Sequence, residues 1–510
     1  MGQLDGRRLS LTRLVVLLAT LAAVGFASLS GWQWFQDTRA ADRVGESWFA
    51  GYVDVTATPS FDFEEPGSPE GRDVVLSFVV ADPDEACAPS WGAAYSLDEA
   101  SQSLDLDRRL ARLRQQSGEA VVAFGGAANT ELAVSCTDED ALYDAYREIV
   151  QRYEVSTIDI DVEGEAIDDV AANERRAAAL KRLQDSDDVH VWLTLPVSPS
   201  GLAPSGVDLV ATTLAADVDI AGVNLMTMNY NQPQDEDAPL SDVAISALEG
   251  AHEQLLALHK DAGVVHGPAS MWRRMGATPM IGQNDVAAEI FTLGDAERLN
   301  AFARDKGLGR LSMWSLNRDR ECGSNYPDTR VVSTSCSGES QDQAAFARAL
   351  GQSVSGRPDA DPAAVPEPPD PSATPTDDPA TSPHEIWDPD EVYLAETRVV
   401  WRRNVYVAKW WTQGDAPNDP LVDAAAAPWE LLGPVLPGET PLPTPTLPDG
   451  TYPRWAENRV YTSGDRVQLD GVPFVAQWWT KGQSPVAPSS VDSPSPWRML
   501  TEEEIRKART

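Results

Sequence analysis

Between residues 46 and 350, short apolar runs alternate with longer stretches whose apolar positions recur every three to four residues. Eight runs read as strands: FAGYVDVT (49–56), VVLSFVVA (74–81), AVVAFGG (120–126), STIDIDVE (156–163), VHVWLTLPV (189–197), IAGVNLMTMNY (220–230), TPMIGQND (278–285) and RLSMWSLN (310–317). DEDALYDAYREIVQRYE (138–154) is typical of the amphipathic helices between them. Eight strands alternating with helices predict an α/β fold, a (β/α)8 TIM barrel, with a doubly wound open sheet as the alternative.

The pattern changes after residue 350. Residues 351–385 hold nine prolines among small and acidic residues, and 434–453 hold seven more, so both read as semi-extended linkers. The segments that follow, 386–433 and 454–500, are rich in tryptophan and are copies of one another. At a constant offset of 68, Trp387 matches Trp455, Val392-Tyr393 matches Val460-Tyr461, and Arg398-Val399 matches Arg466-Val467. Tyr406 matches Phe474, Trp410-Trp411 matches Trp478-Trp479, and Pro428-Trp429 matches Pro496-Trp497. Each copy is expected to be a small antiparallel all-β module. Trp387, Trp429, Trp455 and Trp497 are expected in the cores. Adjacent residues of a strand face opposite ways, so each Trp pair is expected to bury one ring and expose the other.

Charge removes a function class. The 510 residues carry 79 Asp plus Glu against 40 Lys plus Arg, a net charge of −39, and a field of that sign repels phosphate backbones, so no nucleic-acid partner is expected. No GxGxxG, GxxxxGK[ST] or GxSxG motif accompanies the strands, which removes the usual markers of nucleotide chemistry and serine hydrolysis. The five histidines, His190, His252, His259, His266 and His384, lack metal-ligand spacing, so no metal and no cofactor is expected. At the N-terminus, Arg7, Arg8 and Arg13 precede the apolar run Leu14–Leu29, within a segment (1–45) that reads as a signal peptide or a membrane anchor. The chain is then extracellular, secreted or held at the outer face of the plasma membrane. In that compartment Cys87, Cys136, Cys322 and Cys336 read as two disulfides, with chain order favouring Cys87–Cys136 and Cys322–Cys336.

The fourth strand run ends Ile158-Asp159-Ile160-Asp161-Val162-Glu163-Gly164, and alternation turns Asp159, Asp161 and Glu163 to one side, the barrel interior. Three carboxylates facing one way in a desolvated space repel each other. Such a row persists when some members are protonated or hydrogen-bonded, the condition of a general acid working near neutral pH.

This row resembles the DxxDxDxE signature of glycoside hydrolase family 18, the chitinases and chitinase-like proteins. Ala123-Phe124-Gly125-Gly126 is similar to the family's SxGG element, Met226-Thr227-Met228-Asn229-Tyr230 to its sixth-strand Met-x-Tyr-Asp element, and Trp314 to its eighth-strand tryptophan. The resemblance implies retaining hydrolysis of a β-1,4 bond after N-acetylglucosamine, assisted by the substrate's own acetamide. Glu163 is then the acid and later the base, Asp161 orients the acetamide, and Asp159 shares a proton with Asp161. Gly126, Met226, Asn229, Tyr230 and Trp314 belong to the sugar site, Tyr230 supplying a hydroxyl. Four positions depart from the family pattern. Ser156 and Thr157 stand for its first Asp and Gly, with tuning of the buried proton network as the expected effect; Met228 and Asn229 stand for its Tyr and Asp. Only 24 residues separate the seventh run from the eighth, which implies a shallow, open cleft and internal cuts. The repeated segments resemble the chitin-binding modules of carbohydrate-binding families 5 and 12, which implies that Trp410, Trp411, Trp478 and Trp479 stack on chitin. The whole then reads as a monomeric endochitinase acting on chitin or another N-acetylglucosamine-containing glycan. Alternatives are an endo-β-N-acetylglucosaminidase of glycoprotein or cell-wall glycans and a non-hydrolytic chitin-binding protein.

Overall fold

The computed structural model describes residues 36–230, 239–358 (without 325, 327, 329 and 330), 377–418, 426–441, 447–487 and 495–500, with 504, 505 and 508. The apolar run at 14–29 and most of the first linker lie outside the described residues. Among the described residues no helix is long and apolar enough to cross a membrane. The chain forms two compact units, the larger drawn from residues up to Leu106 and from Leu113 to Val365, the smaller from Asp107–Arg112 and from Pro366 onward.

The larger unit is built on eight parallel strands. These are β1 (Trp48–Phe49 and Gly51–Asp54), β2 (Val74–Ala81), β3 (Ala120–Gly125), β4 (Thr157–Asp161), β5 (His190–Ser198), β6 (Ile220–Met226), β7 (Met275–Thr278) and β8 (Arg310–Leu311). Each pairs in parallel with the next, and β8 pairs in parallel with Trp48–Phe49 of β1. Helices α1 (Glu139–Arg152), α2 (Val170–Ser186), α3 (Pro204–Ala215), α4 (Leu240–Asp261) and α5 (Leu293–Lys306) link the strands from β3 onward. The first of them illustrates why. Asp138 caps it by accepting from the Ala141 N–H, acids fill its first turn, Arg152 sits in its last, and Leu142, Ala145, Tyr146, Ile149 and Val150 form one buried stripe. β4 is covered on both faces, because Ile158, Ile160 and Val162 are as fully buried as Asp159 and Asp161 between them. Burying each of those aliphatic side chains contributes about 1.5–3 kcal/mol.

The seventh strand departs from expectation. It is Met275–Thr278, while 278–285 turns away and supplies only Gly282–Gln283, paired antiparallel with Ile290–Phe291. Met-Gly-Ala-Thr lacks the branched bulk that marks a strand, for a packing reason. A Cβ on Gly276 would lie 2.8 Å from Asn224 Oδ1 and 3.0 Å from Arg310 Cβ, so the large neighbours on β6 and β8 demand small residues between them.

Both expected disulfides form, Cys87–Cys136 and Cys322–Cys336. His252 stacks on Trp272 at 4.2 Å and shares a hydrogen bond with Pro268 O, and His259 bonds Leu255 O within α4, so both serve packing. A helix at 36–44 precedes β1, and its Asp37 accepts from the Ala269 and Ser270 N–H groups at 2.8 and 3.1 Å. Those groups belong to the first turn of the helix Pro268–Arg273, which leads directly into β7.

The smaller unit contains two three-stranded antiparallel sheets: β9 (Arg398–Trp401), β10 (Asn404–Ala408) and β11 (Trp429–Pro434), then β12 (Arg466–Leu469), β13 (Val472–Ala476) and β14 (Trp497–Met499). Their cores coincide at the offset of 68. Tyr393, Val399, Tyr406, Ala408 and Trp429 make one core, and Tyr461, Val467, Phe474, Ala476 and Trp497 the other. The polar groups follow: Trp429 Nε1 donates to Asp415 O and Trp497 Nε1 to Gln483 O, each at 2.9 Å. Trp387 and Trp455 pack partly buried against the cores.

Candidate active site

β4 carries Asp159 and Asp161 inward, and Glu163 follows at its C-terminal end. Strand alternation gives the three a common direction, but their surroundings differ. Asp159 is fully buried and saturated. Its Oδ2 accepts from Tyr52 at 2.6 Å, and its Oδ1 accepts from Thr194 and from Arg310 Nη1, each at 2.6 Å. Arg310 is itself fully buried, donates further to Tyr52 at 3.0 Å and Ser312 at 2.9 Å, and lies 5.0 Å from the ring centre of Trp48 and 5.5 Å from that of Trp192. Asn224 completes the network through Thr194 at 3.0 Å and Thr278 at 2.9 Å. A desolvated ion pair of this kind persists because both carboxylate oxygens of Asp159 and all three guanidinium nitrogens of Arg310 have partners.

Asp161 has no such support. Its Oδ1 is buried without a hydrogen-bond partner among the described residues, and no hydrogen bond joins it to Asp159. Burial, then the Glu163 and Asp159 charges, hold its carboxyl well above the usual carboxylate range, opposed by Arg310. Glu163 is partly buried, and desolvation followed by the charge of Asp285 pushes its carboxyl up to about 7. One strand thus presents a paired carboxylate, a carboxyl that favours its proton, and a third poised near neutrality.

Two glycines shape the wall. At Gly125 (φ 93°) a Cβ would lie 2.0 Å from the Asp161 carbonyl oxygen, and at Gly126 (φ 84°) 2.9 Å from the Phe78 ring. Phe78 stacks on the partly buried Trp314 at 5.5 Å, and Tyr52 meets Trp314 edge-on at 6.0 Å. Met226 is partly buried and Met228 buried. Tyr230 is buried with its hydroxyl lacking a partner among the described residues, while its backbone N–H donates to Glu289 at 3.2 Å. Asn229 turns to the loop after β7: its amide donates to Asp285 Oδ2 at 2.8 Å, and its Oδ1 accepts from the Asp285 N–H at 3.0 Å. No hydrogen bond joins Asn229 or Tyr230 to the three acids among the described residues. Thr157 donates to Pro358 O, outside the acid network, and Ser156 is half-buried.

Arg310 and Asp285 were both missed by motif reading. A charged residue opening an apolar strand run was a signal for the first, since a buried strand takes a cation only beside an anion. The second meets Asn229 through the fold alone.

In the repeats, the Trp pairs fall just after β10 and β13, past the strand ends, so strand alternation does not sort them. Trp478 and Trp479 are both exposed, at 42% and 63%, while Trp410 and Trp411 are both half-buried, with Lys409 Nζ 5.0 Å from the Trp410 ring centre.

Comparison with known proteins accords with this geometry. Residues 454–498 match carbohydrate-binding module family 5/12. The chain is 34% identical over 314 residues to a probable bifunctional chitinase/lysozyme of Escherichia coli (strain K12), covering 58% of this chain and 34% of the relative. It is 33% identical over 309 residues to endochitinase 11 of Metarhizium anisopliae, covering 56% of this chain and 57% of that protein. The match thus spans about a third of one relative and just over half of the other. Among solved structures, the catalytic domain of a hyperthermophilic chitinase from Pyrococcus furiosus superposes with a TM-score of 0.52 at 27% identity, over 60% of this chain and 94% of that domain. The larger unit is therefore similar, in sequence and in its TIM-barrel type of fold, to chitinase catalytic domains, and the C-terminal copy to a carbohydrate-binding module.

Proposed function

We propose that the chain is an exported endochitinase: a closed (β/α)8 barrel over 46–350 joined by Pro-rich linkers to two chitin-binding modules, 386–433 and 454–500. The observation that carries the reading is the division of labour along β4, where Arg310, Tyr52 and Thr194 satisfy the buried Asp159 while burial raises the carboxyls of Asp161 and Glu163. The chitinase relatives and the module match point the same way.

In the reaction, Glu163 gives its proton to the glycosidic oxygen as the bond from that oxygen to the anomeric carbon breaks. The acetamide carbonyl of the same sugar closes on the anomeric carbon, and Asp161 hydrogen-bonds the acetamide N–H and stabilises the ring that forms. Water then attacks the anomeric carbon and returns a proton to Glu163, so the acid is regenerated. Trp314, stacked on Phe78, offers a ring face for the sugar. Asp159 fixes the strand electrostatically and does not touch substrate. The exposed pair Trp478-Trp479 is the stacking platform of the second module, and the shared core supports assigning the first copy to the same role, so two sites on one chain bind an insoluble polymer by avidity. Two disulfides agree with an oxidising compartment.

The deciding assay is release of chromophore from a soluble chitotriose substrate by the full chain and by Glu163→Gln. Turnover by the wild type, with a loss of about a thousandfold or more in the variant, upholds the reading. Chitin binding without turnover by either protein would replace the hydrolase with a binding scaffold. A second reading, cleavage of cell-wall glycan, is favoured by the name of the Escherichia coli relative, and comparison of products from chitin oligomers and from peptidoglycan separates the two.

A further inference from the structure

Asn229 is the departure from the family pattern to which the hydrolase reading gives no task. Its backbone turns to φ 50°, the left-handed region in which asparagine is one of the few side chains at ease. Its amide meets the loop after β7, residues 279–286, and uses both ends there. Nδ2 donates to Asp285 Oδ2 at 2.8 Å and lies 3.8 Å from Met280 Sδ, while Oδ1 accepts from the Asp285 and Val286 N–H groups at 3.0 and 3.4 Å. A carboxylate at 229 could still accept from the two N–H groups, but it would set a second negative charge within hydrogen-bond distance of the Asp285 carboxylate. Asn229 and Asp285 are thus a matched pair, one donor amide to one acceptor acid.

The loop held in this way is the seat of Trp314. The Trp314 N–H donates to Pro279 O at 2.9 Å, and Trp314 O accepts from the Ile281 N–H at 3.1 Å, so Met280 and Trp314 pair as a parallel bridge. Met280 is buried, its carbonyl accepts from Asn284 Nδ2 at 2.8 Å, and its sulfur is the atom that Asn229 approaches. The outer half of the loop is pinned separately, by Gln283 N–H to Ser337 O at 2.8 Å and by Arg318 Nη2 to Gln283 O at 2.5 Å. The Trp314 ring rests on Phe78 at 5.5 Å and meets Tyr52 at 6.0 Å. Ring contacts set its tilt, and the backbone pairing with 279–281 sets where the ring starts from.

We propose that Asn229 is a positioning residue for the sugar site: paired with Asp285 it locks residues 279–286, and through Met280 it fixes the backbone from which Trp314 presents its ring. This rests on the hydrolase reading, which gives Trp314 its sugar. In this role Asn229 acts through Trp314 and makes no contact with substrate. The asparagine stands where the family pattern has an aspartate because its neighbour across the loop already carries the charge.

The test is a reciprocal exchange in the full chain. Asn229→Asp sets two carboxylates together and opens the clamp, and adding Asp285→Asn restores one amide and one carboxylate in the opposite order. The tryptophans carry a 5-fluoro label, and the Trp314 fluorine resonance is assigned by its loss in Trp314→Phe. Asn229→Asp should move or broaden that resonance and raise KM on chitotriose by about three- to tenfold, with kcat changed by about twofold or less. The double exchange should return both readings to near wild type. Asp285→Asn alone, whose amide oxygen can still accept from Asn229, should change little. Asn229→Gly keeps the left-handed backbone and removes the amide, so it should repeat the effect of Asn229→Asp if that variant folds poorly. A resonance and a KM that stay put in both single variants at 229 overturn the proposal, even where urea stability falls, since that marks a structural brace. A raised KM that the exchange fails to reverse overturns it too, by marking Asn229 as a direct substrate contact. The fluorine shift and its return need no turnover, so an inactive wild type that shows them would sink the hydrolase reading and leave the hold on Trp314 standing.

Discussion

The interior of the larger unit and the rims of the two repeats break the ordinary division of inside and outside in opposite directions. On β4, acids sit where apolar side chains belong, and Asp159 is fully buried. On the second repeat, the two largest apolar rings sit where polar groups belong, Trp479 at 63% exposed. Both are costly, and each cost marks a working surface. The difference lies in how the cost is contained. The buried acids need a shell of partners drawn from β1, β5, β6 and β8, whereas the exposed rings need only a small core to hold them up. The first arrangement should fail through its partners and the second through the rings alone.

The largest effect is expected at the acid itself, where Glu163→Gln should reduce kcat on chitotriose by about a thousandfold or more while leaving retention on chitin beads in place. Next, Arg310→Met leaves Asp159 charged and unpaired in the interior. It should cost about 3–5 kcal/mol in urea unfolding of the larger unit, most of it recovered in the Arg310→Met, Asp159→Leu double variant. Trp479→Ala should weaken retention on chitin by about tenfold with no change on the soluble substrate. Trp410→Ala, at a half-buried ring, should cost less, and equal losses in the two copies would erase the distinction between their rims. A subtler effect is linkage at Glu163. Its carboxyl titrates near 7 in the folded chain against 4.5 for the free group, so the folded state binds more protons between those values. Stability should therefore fall as pH rises from 4.5 to about 7, and Glu163→Gln should remove that part of the slope.

Legibility in the sequence followed how local each cause was. Runs such as VVLSFVVA announced β2 because branched side chains suit a covered strand, and the repeats declared their cores because residues 68 apart do the same packing. The acid row was legible because alternation alone aligns its members. β7 was not, because its small residues answer to Arg310 and Asn224, which arrive from other strands. Asp285 was hidden for the same reason, in a run misread as a strand. The Trp pairs were misassigned because the strand period was extended past Ala408 and Ala476, where the strands end.

The bonds from Asp37 to the start of the helix Pro268–Arg273 have a directional meaning. They fasten the segment that follows the N-terminal apolar run to the end of the sheet where β7 begins, the foot of the strands, whereas Glu163 stands past the other end of β4. A lead-in moored at the foot leaves the mouth unobstructed.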